Sequence, residues 1–248
     1  MADEIILVLD VEGTLTDKSG RFIEEELLEK LRAFEGKGAP VVFCSGRDVL
    51  YLQEKREEWG LSSSGDFVAE NGCVVFLEGK EEVTFDKASF PREQLIDLIE
   101  ESDILEEGEL DPRKKYMITI YPKGFLEGID YNSSQIQDLL KKTEKILSSQ
   151  NITVTYSSAS VDIIPKGIDK GFGLQFLVRK KSMDPKSILF SGDGDNDVPA
   201  ARFVQENGGS VAVPANAVDH LKELADYVAE KENGKGVLEV LDKLNILS

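Results

Sequence analysis

The chain has little sulfur: Cys44 and Cys73 are the only cysteines in 248 residues. Two thiols cannot build a disulfide framework, and alone they cannot hold a metal. Both sit in apolar runs, Val41-Val-Phe-Cys44 and Cys73-Val-Val-Phe76, which predicts small buried hydrophobes. No apolar run approaches the ~20 residues needed to span a bilayer. Residues 1–4 show neither the basic region nor the hydrophobic core of a secretory signal, so a soluble, cytoplasmic protein is expected. Basic charge is also short, with 29 Lys and Arg against 47 Asp and Glu and a net charge of −18. That excludes nucleic acid as the expected partner, because neutralising phosphates needs clustered Lys and Arg. A small phosphorylated substrate remains compatible, since one metal or lysine reverses the sign inside a cleft. The excess acid falls largely in helix-like runs such as 24–26 and 54–58, which read as solvated faces.

What is present is an alternation of strand and helix patterns, with no internal repeat. Residues 5–9 form an apolar, β-forming run that stops at Asp10. Leu27, Leu28, Leu31 and Phe34 have helical spacing over 24–34, and Gly36 and Gly38 stop that helix. A second strand over 40–44 ends at Ser45-Gly46-Arg47, and a helix is expected over 48–59. This order implies a parallel sheet. The rhythm then changes to short strands at 67–69, 73–77 and 82–85, separated by Glu70-Asn71-Gly72 and Glu78-Gly79-Lys80, which are hairpin signals. Next come a helix (92–101), an acidic loop, a strand (116–121), a helix (133–147) and two strands (152–156, 161–164). From Lys166 the parallel pattern returns: helix 169–179, strand 187–190, helix 196–204, strand 209–213, helix 216–224, strand 226–228 and helix 237–244. The expectation is an α/β fold with one discontinuous domain, 1–83 and 166–248, and an inserted α+β module over 84–165. Length allows either one large domain or two modest ones.

Three later stretches converge on Asp10. Ser45 and the run Gly192-Asp193-Gly194-Asp195-Asn196-Asp197 each follow a predicted parallel strand, and Lys170 opens the helix after the insert. Carboxyl ends of parallel strands are where open α/β sheets bind ligands. Asp10, Asp193 and Asp197 make an oxygen-rich set without His or Cys, which suits Mg²⁺. Each stretch also has a plainer reading. The Asp-rich run can be a turn with Asx hydrogen bonds, Ser45 a helix N-cap, Lys170 surface charge, and Asp10 and Glu12 a polar strand end.

Asp10-Val-Glu12-Gly-Thr-Leu-Thr16, Ser45-Gly46-Arg47, Lys170 and Gly192-Asp193 through Asp197 resemble the four ordered motifs of the haloacid dehalogenase (HAD) superfamily phosphatases. The insert resembles the α+β cap of the Cof-type branch. Glu70-Asn71-Gly72, Val213-Pro-Ala-Asn216-Ala and Gly234-Lys-Gly-Val237 resemble the group of sucrose-phosphate, mannosyl-3-phosphoglycerate and archaeal phosphoglycolate phosphatases. The resemblance implies a Rossmann-like core and two-step phosphoryl transfer. Asp10 would attack phosphorus and form an aspartyl-phosphate. Asp10, Asp193 and the backbone carbonyl of Glu12 would hold Mg²⁺, with Asp197 supporting the metal or Lys170. Ser45, Gly46, Lys170 and Asn196 would face the phosphoryl group, and Arg47 and Asn71 the rest of the substrate.

One position departs from the family. Two residues after the nucleophile the phosphatases normally carry Asp, as acid and then base, and here the residue is Glu12. The carboxyl is retained, but a shift of roughly 1 Å can cost ~100-fold. Glu12 serving with a compensating backbone shift is the favoured reading. A slow or specialised enzyme and a phosphate-binding protein with little turnover are the others, and a phosphomutase or phosphotransferase uses the same parts. Within the insert, Arg113, Lys114, Lys115, Lys123, Tyr116, Tyr121 and Phe125 are candidates for setting specificity. The sequence allows a monomer or a homodimer.

Overall fold

β1 (Ile6–Leu9) is buried along its whole length, as a strand covered on both faces must be. The computed structural model describes residues 5–17, 20–148, 150–157 and 159–243. The expectations for residues 1–4 and for Leu244 lie outside them. After β1 come α1 (Glu25–Gly36), β2 (Val41–Cys44), α2 (Val49–Glu58), β3 (Phe67–Ala69), β4 (Val74–Leu77) and β5 (Lys80–Val83). Then follow α3 (Arg92–Glu100), α4 (Ile104–Glu107), β6 (Gly108–Leu110), β7 (Ile118–Pro122), α5 (Ser133–Leu147), β8 (Ile152–Tyr156) and β9 (Val161–Pro165). The chain closes with α6 (Lys170–Lys181), β10 (Ile188–Ser191), α7 (Val198–Glu206), β11 (Ser210–Val213), α8 (Asp219–Lys222), β12 (Tyr227–Val228) and α9 (Asn233–Lys243).

These elements form two units. The first holds the described residues up to Thr84 and from Asp169 onward; the second is Phe85–Ile168. The first is built on an eight-stranded sheet in the order β12-β11-β10-β1-β2-β3-β4-β5. Pairing is parallel from β12 through β3 and antiparallel across β4 and β5. β1 therefore lies between β2, which follows it early, and β10, whose Ile188 pairs with Ile6 across 182 positions. This is a topological switch point, where a crevice opens at the strand ends. On one face Val8, Val42, Val68 and Phe190 pack with Leu174, Leu177 and Ala201 from α6 and α7. Phe43 meets the Trp59 ring edge-on at 5.7 Å, and Phe67 stacks on Phe76 at 4.7 Å.

The second unit is a four-stranded antiparallel sheet, β6-β7-β9-β8. Ile118, Ile120, Val161 and Ile163 of the sheet pack with Leu95 and Ile99 of α3 and Ile136 and Leu139 of α5. Asn132 and Gln135 close a reciprocal capping box at the start of α5. Among the described residues no helix is long and apolar enough to cross a membrane.

Several elements differ from the sequence reading for local reasons. β5 starts at Lys80 rather than 82, because Glu78 and Gly79 take φ of +50° and +82° and close a two-residue hairpin. The acidic loop after α3 contains α4 and β6, with Ile104 buried and Gly108 against Ile120. The helix expected over 196–204 begins as a 3-10 turn, Asp195–Asp197, before α7. The helix expected over 216–224 shrinks to α8, because the Asn216 side chain is tied to Gly13 and Asn233.

Candidate active site

Asp10 is the first residue beyond β1, and its backbone N–H reaches the Ser191 carbonyl at 2.9 Å, joining the ends of β1 and β10. Ser45 follows β2, Asp193 follows β10, and Lys170 is the first residue of α6. The sheet thus delivers these side chains to one end of the first unit. Lys170 Nζ donates to Asp10 Oδ1 at 2.7 Å and to Asp197 Oδ1 at 2.6 Å, and only 1% of the lysine is exposed. It gets that close because glycines stand at positions 171 and 173, in the first turn of α6. A Cβ on Gly173 would sit 2.6 Å from Gly72 Cα, so the helix rests directly on the turn after β3. Gly72 itself has φ +92°, which favours glycine.

Asp197 is a bridge. Its Oδ2 accepts the backbone N–H groups of Asp193 and Gly194, each at 3.0 Å. The lysine is therefore tied both to Asp10 and to the loop that carries Asp193. Asp193 is oriented by Thr14 Oγ1 at 3.2 Å and Asn216 Nδ2 at 3.4 Å, and Asn216 also donates to the Gly13 carbonyl at 2.8 Å. Gly13, at φ +81°, lies so near that any Cβ there would run into the Asp193 carboxylate.

Charge is concentrated here. Burial raises the Asp10 carboxyl well above its ordinary value, with Asp197 adding to the rise, Lys170 opposing it, and Asp193 and Glu12 raising it further. Burial alone would lower the Lys170 ammonium, but Asp10 and Asp197 outweigh it and hold the group above its usual range. Among the described residues Asp10, Asp193 and Asp197 offer carboxylate oxygens that all lie within 4.8 Å of one another. Hard oxygen donors without nitrogen or sulfur fit Mg²⁺ rather than a softer ion. Three acids, Asp197, Asp193 and Glu12, act on buried Asp10 against the opposing charge of Lys170, which points the same way.

Glu12 faces Asp10's other neighbours. Its Oε1 accepts Arg47 Nε at 2.7 Å and its Oε2 accepts Ser45 Oγ at 3.4 Å. Arg47, expected at the substrate, is thus engaged with the acid–base candidate. The remaining wall is polar: Asn196 Nδ2 donates to Asn71 Oδ1 at 3.2 Å, and the Asn71 N–H reaches the Ser45 carbonyl at 3.2 Å. Gly46 packs beside Asn71, where a Cβ would be 3.1 Å from its Oδ1. Every sequence-derived core candidate therefore falls in one cluster. Asp48, not Ser45, caps α2, accepting the Tyr51 N–H at 2.9 Å.

Tyr121, Phe125, Lys123 and Tyr116 of the second unit have partners within it. Tyr121 donates to Asp111 at 3.2 Å and stacks on Phe125 at 4.3 Å. Lys123 reaches the Leu105 carbonyl at 3.1 Å, and Tyr116 lies under the Lys87 ammonium at 5.1 Å. Sequence reasoning missed Tyr51, whose ring lies 4.7 Å from the Arg47 guanidinium. Its position one helical turn beyond Arg47 was the available signal.

A family model described as haloacid dehalogenase-like hydrolase matches residues 7–118 and 103–241. The chain belongs to the haloacid dehalogenase-like hydrolases. The phosphoglycolate phosphatase of Methanopyrus kandleri is 28% identical, with 96% of each chain covered. Phosphoglycolate phosphatase 2 of Saccharolobus solfataricus is 30% identical over 98% of this chain and 93% of its own. The sucrose-phosphatase of Synechocystis has a TM-score of 0.71 at 18% identity, covering 99% of each chain, a likeness of fold. Family and relatives together make the protein a HAD-type phosphatase.

Proposed function

We propose that the protein is a Mg²⁺-dependent phosphomonoester hydrolase for a small phosphorylated metabolite, phosphoglycolate or a sugar phosphate, working in the cytoplasm. In this reading the first unit is the catalytic core and residues 85–168 are its cap. The observation that carries the proposal is buried Asp10, held through Oδ1 by Lys170 beside Asp193 and Asp197. A carboxylate whose rotamer is fixed is a positioned nucleophile. Asp10 would attack phosphorus while the bond to the leaving oxygen breaks. Lys170, Ser45 and Asn196 would bind the phosphoryl oxygens as charge spreads over them. Glu12 would give its proton to the leaving oxygen and then take one from the water that opens the aspartyl-phosphate. Asp10 and Asp193 would hold Mg²⁺ with the Glu12 carbonyl, and Asp197 would steady Lys170. When bound, the metal would neutralise phosphoryl charge.

The relatives' names support phosphoglycolate as the first substrate to try. Incubating the protein with phosphoglycolate and a panel of sugar phosphates, with Mg²⁺ and with EDTA, should release inorganic phosphate only with the metal. Tight phosphate binding with no release from any ester would replace the hydrolase with a phosphate-binding protein.

A further inference from the structure

The phosphatase reading assigns Glu12 a proton-transfer role but leaves open how a side chain one methylene longer than Asp is held still. A free Glu side chain has three rotatable bonds, and a loosely held acid loses rate steeply. In this fold Glu12 is gripped from α2 and from the loop that precedes it. Arg47 Nε donates to Oε1 at 2.7 Å, and the Arg47 guanidinium lies 4.7 Å from the centre of the Tyr51 ring. The Tyr51 hydroxyl comes in beside Glu12 from the first turn of α2. Both groups pack under Gly20, where a Cβ would lie 2.8 Å from the Tyr51 Oη and 3.3 Å from Glu12 Oε1. Gly20 has φ +72° and no side chain to wedge them apart.

We propose that Tyr51 is a positioning residue for Glu12, its hydroxyl and its Arg47-stacked ring fixing the longer carboxylate where an acid–base group is needed. The inference rests on the phosphatase reading of this site. Three features support it. The Tyr51 hydroxyl and Glu12 Oε1 converge on one spot, a Cβ on Gly20 lying 2.8 Å from the first and 3.3 Å from the second, so the phenol O–H is placed to donate to that carboxylate. Glu12 Oε1 is bound by an arginine that itself leans on the Tyr51 ring, so ring and carboxylate share one support. The other oxygen, Oε2, accepts Ser45 Oγ at the long distance of 3.4 Å. Once Ser45 turns to a phosphoryl oxygen, Oε2 is the end of the carboxyl left to carry the proton. A shorter Asp at position 12 would not reach the same grip, which ties Tyr51 to Glu rather than to Asp.

The test is a double-mutant cycle with Tyr51→Phe and Glu12→Asp, read on two esters. One is phosphoglycolate, or the alkyl monoester of the panel with the highest turnover; the other is p-nitrophenyl phosphate, whose leaving group needs no proton. Tyr51→Phe removes only the hydroxyl. In the wild-type background it should lower kcat/KM for the alkyl ester about 10- to 100-fold, the loss for a hydrogen bond to a charged group. The change in kcat/KM for p-nitrophenyl phosphate should be under about threefold, since its leaving group needs no proton in the step that kcat/KM reports. In the Glu12→Asp background the same substitution should cost almost nothing on either ester. A Tyr51→Phe loss equal on both esters, or equal in both backgrounds, shows a structural role and overturns the proposal. No loss at all also overturns it. If wild type hydrolyses no ester, the phosphatase reading itself fails, a result distinct from an active wild type indifferent to Tyr51→Phe.

Discussion

Lys170→Met is the substitution that probes the centre most directly. The ammonium sits between two carboxylates at 2.7 and 2.6 Å with 1% of its surface exposed. Two unit charges about 4 Å apart interact by about 4 kcal/mol at an effective dielectric of 20. Two such pairs therefore attract by about 8 kcal/mol, against a desolvation penalty of several kcal/mol for burying the ammonium. Methionine matches the stem but leaves Asp10 and Asp197 facing each other without a cation. Breaking a buried pair in this way costs about 3–5 kcal/mol of stability in the metal-free protein. Urea denaturation in EDTA at pH 7 measures that loss, and added Mg²⁺ should recover part of it. The rate should fall further than stability accounts for. An electrostatic donor aimed at the transferring group is worth about 10²–10³-fold in kcat. Phosphate release at saturating Mg²⁺, under conditions where the variant is shown to be folded, gives the number. A folded Lys170→Met enzyme within tenfold of the wild-type kcat would refute the assignment of Lys170 to the reacting phosphoryl group.

Asp10→Asn should abolish phosphate release and yet stabilise the metal-free protein at pH 7. A native pKa raised above the ordinary 3.8 means that the folded state holds the proton more tightly than the unfolded one. That contribution is complete below pH 3.8 and is lost as pH rises towards the native value, so the asparagine variant gains most at neutral pH. Thermal melts in EDTA across pH 4 to 8 should show a gap that widens with pH, and no gap at pH 7 contradicts the burial argument. Gly13→Ala should weaken Mg²⁺ binding at least tenfold by pushing on Asp193, besides about 1–2 kcal/mol of left-handed backbone strain; calorimetric titration reads the first. Glu35→Ala should cost about 3–5 kcal/mol in urea denaturation without touching the active site. It strips the partner from Arg56, a fully buried guanidinium whose other bonds run to the Val41 and Ser62 carbonyls at 2.8 and 2.6 Å.

Most of the candidate cluster was legible because its residues follow strands with strong apolar signatures. The runs before Asp10, Ser45 and Asp193 each read as a buried strand and are β1, β2 and β10 in the fold. The antiparallel sheet of the second unit was less legible at its edge. β6 is Gly-Glu-Leu inside an acidic stretch, and its identity comes from pairing with β7 rather than from its own pattern. The helix expected over 216–224 failed for a related reason. Asn216 looks like a helix start, but its amide group bonds to the Gly13 carbonyl and the Asn233 N–H. Tyr51 had only its spacing from Arg47 to mark it, and the Arg56–Glu35 pair escaped because nothing in either helix sequence reveals that these two side chains meet across 21 residues.

The bond between Lys170 and Asp10 joins positions 160 residues apart. During synthesis β1 can find β2 almost at once, yet β10 and the start of α6 are made only after residues 85–168 have emerged. Until then the Asp10 carboxylate has no ammonium to rest against, and the sheet lacks one neighbour of its central strand. Such long-range closure is slow and leaves an open strand edge in the meantime. A chain halted before Lys170 would hold its prospective nucleophile beside an unfinished sheet, so chemistry waits for the last third of the chain.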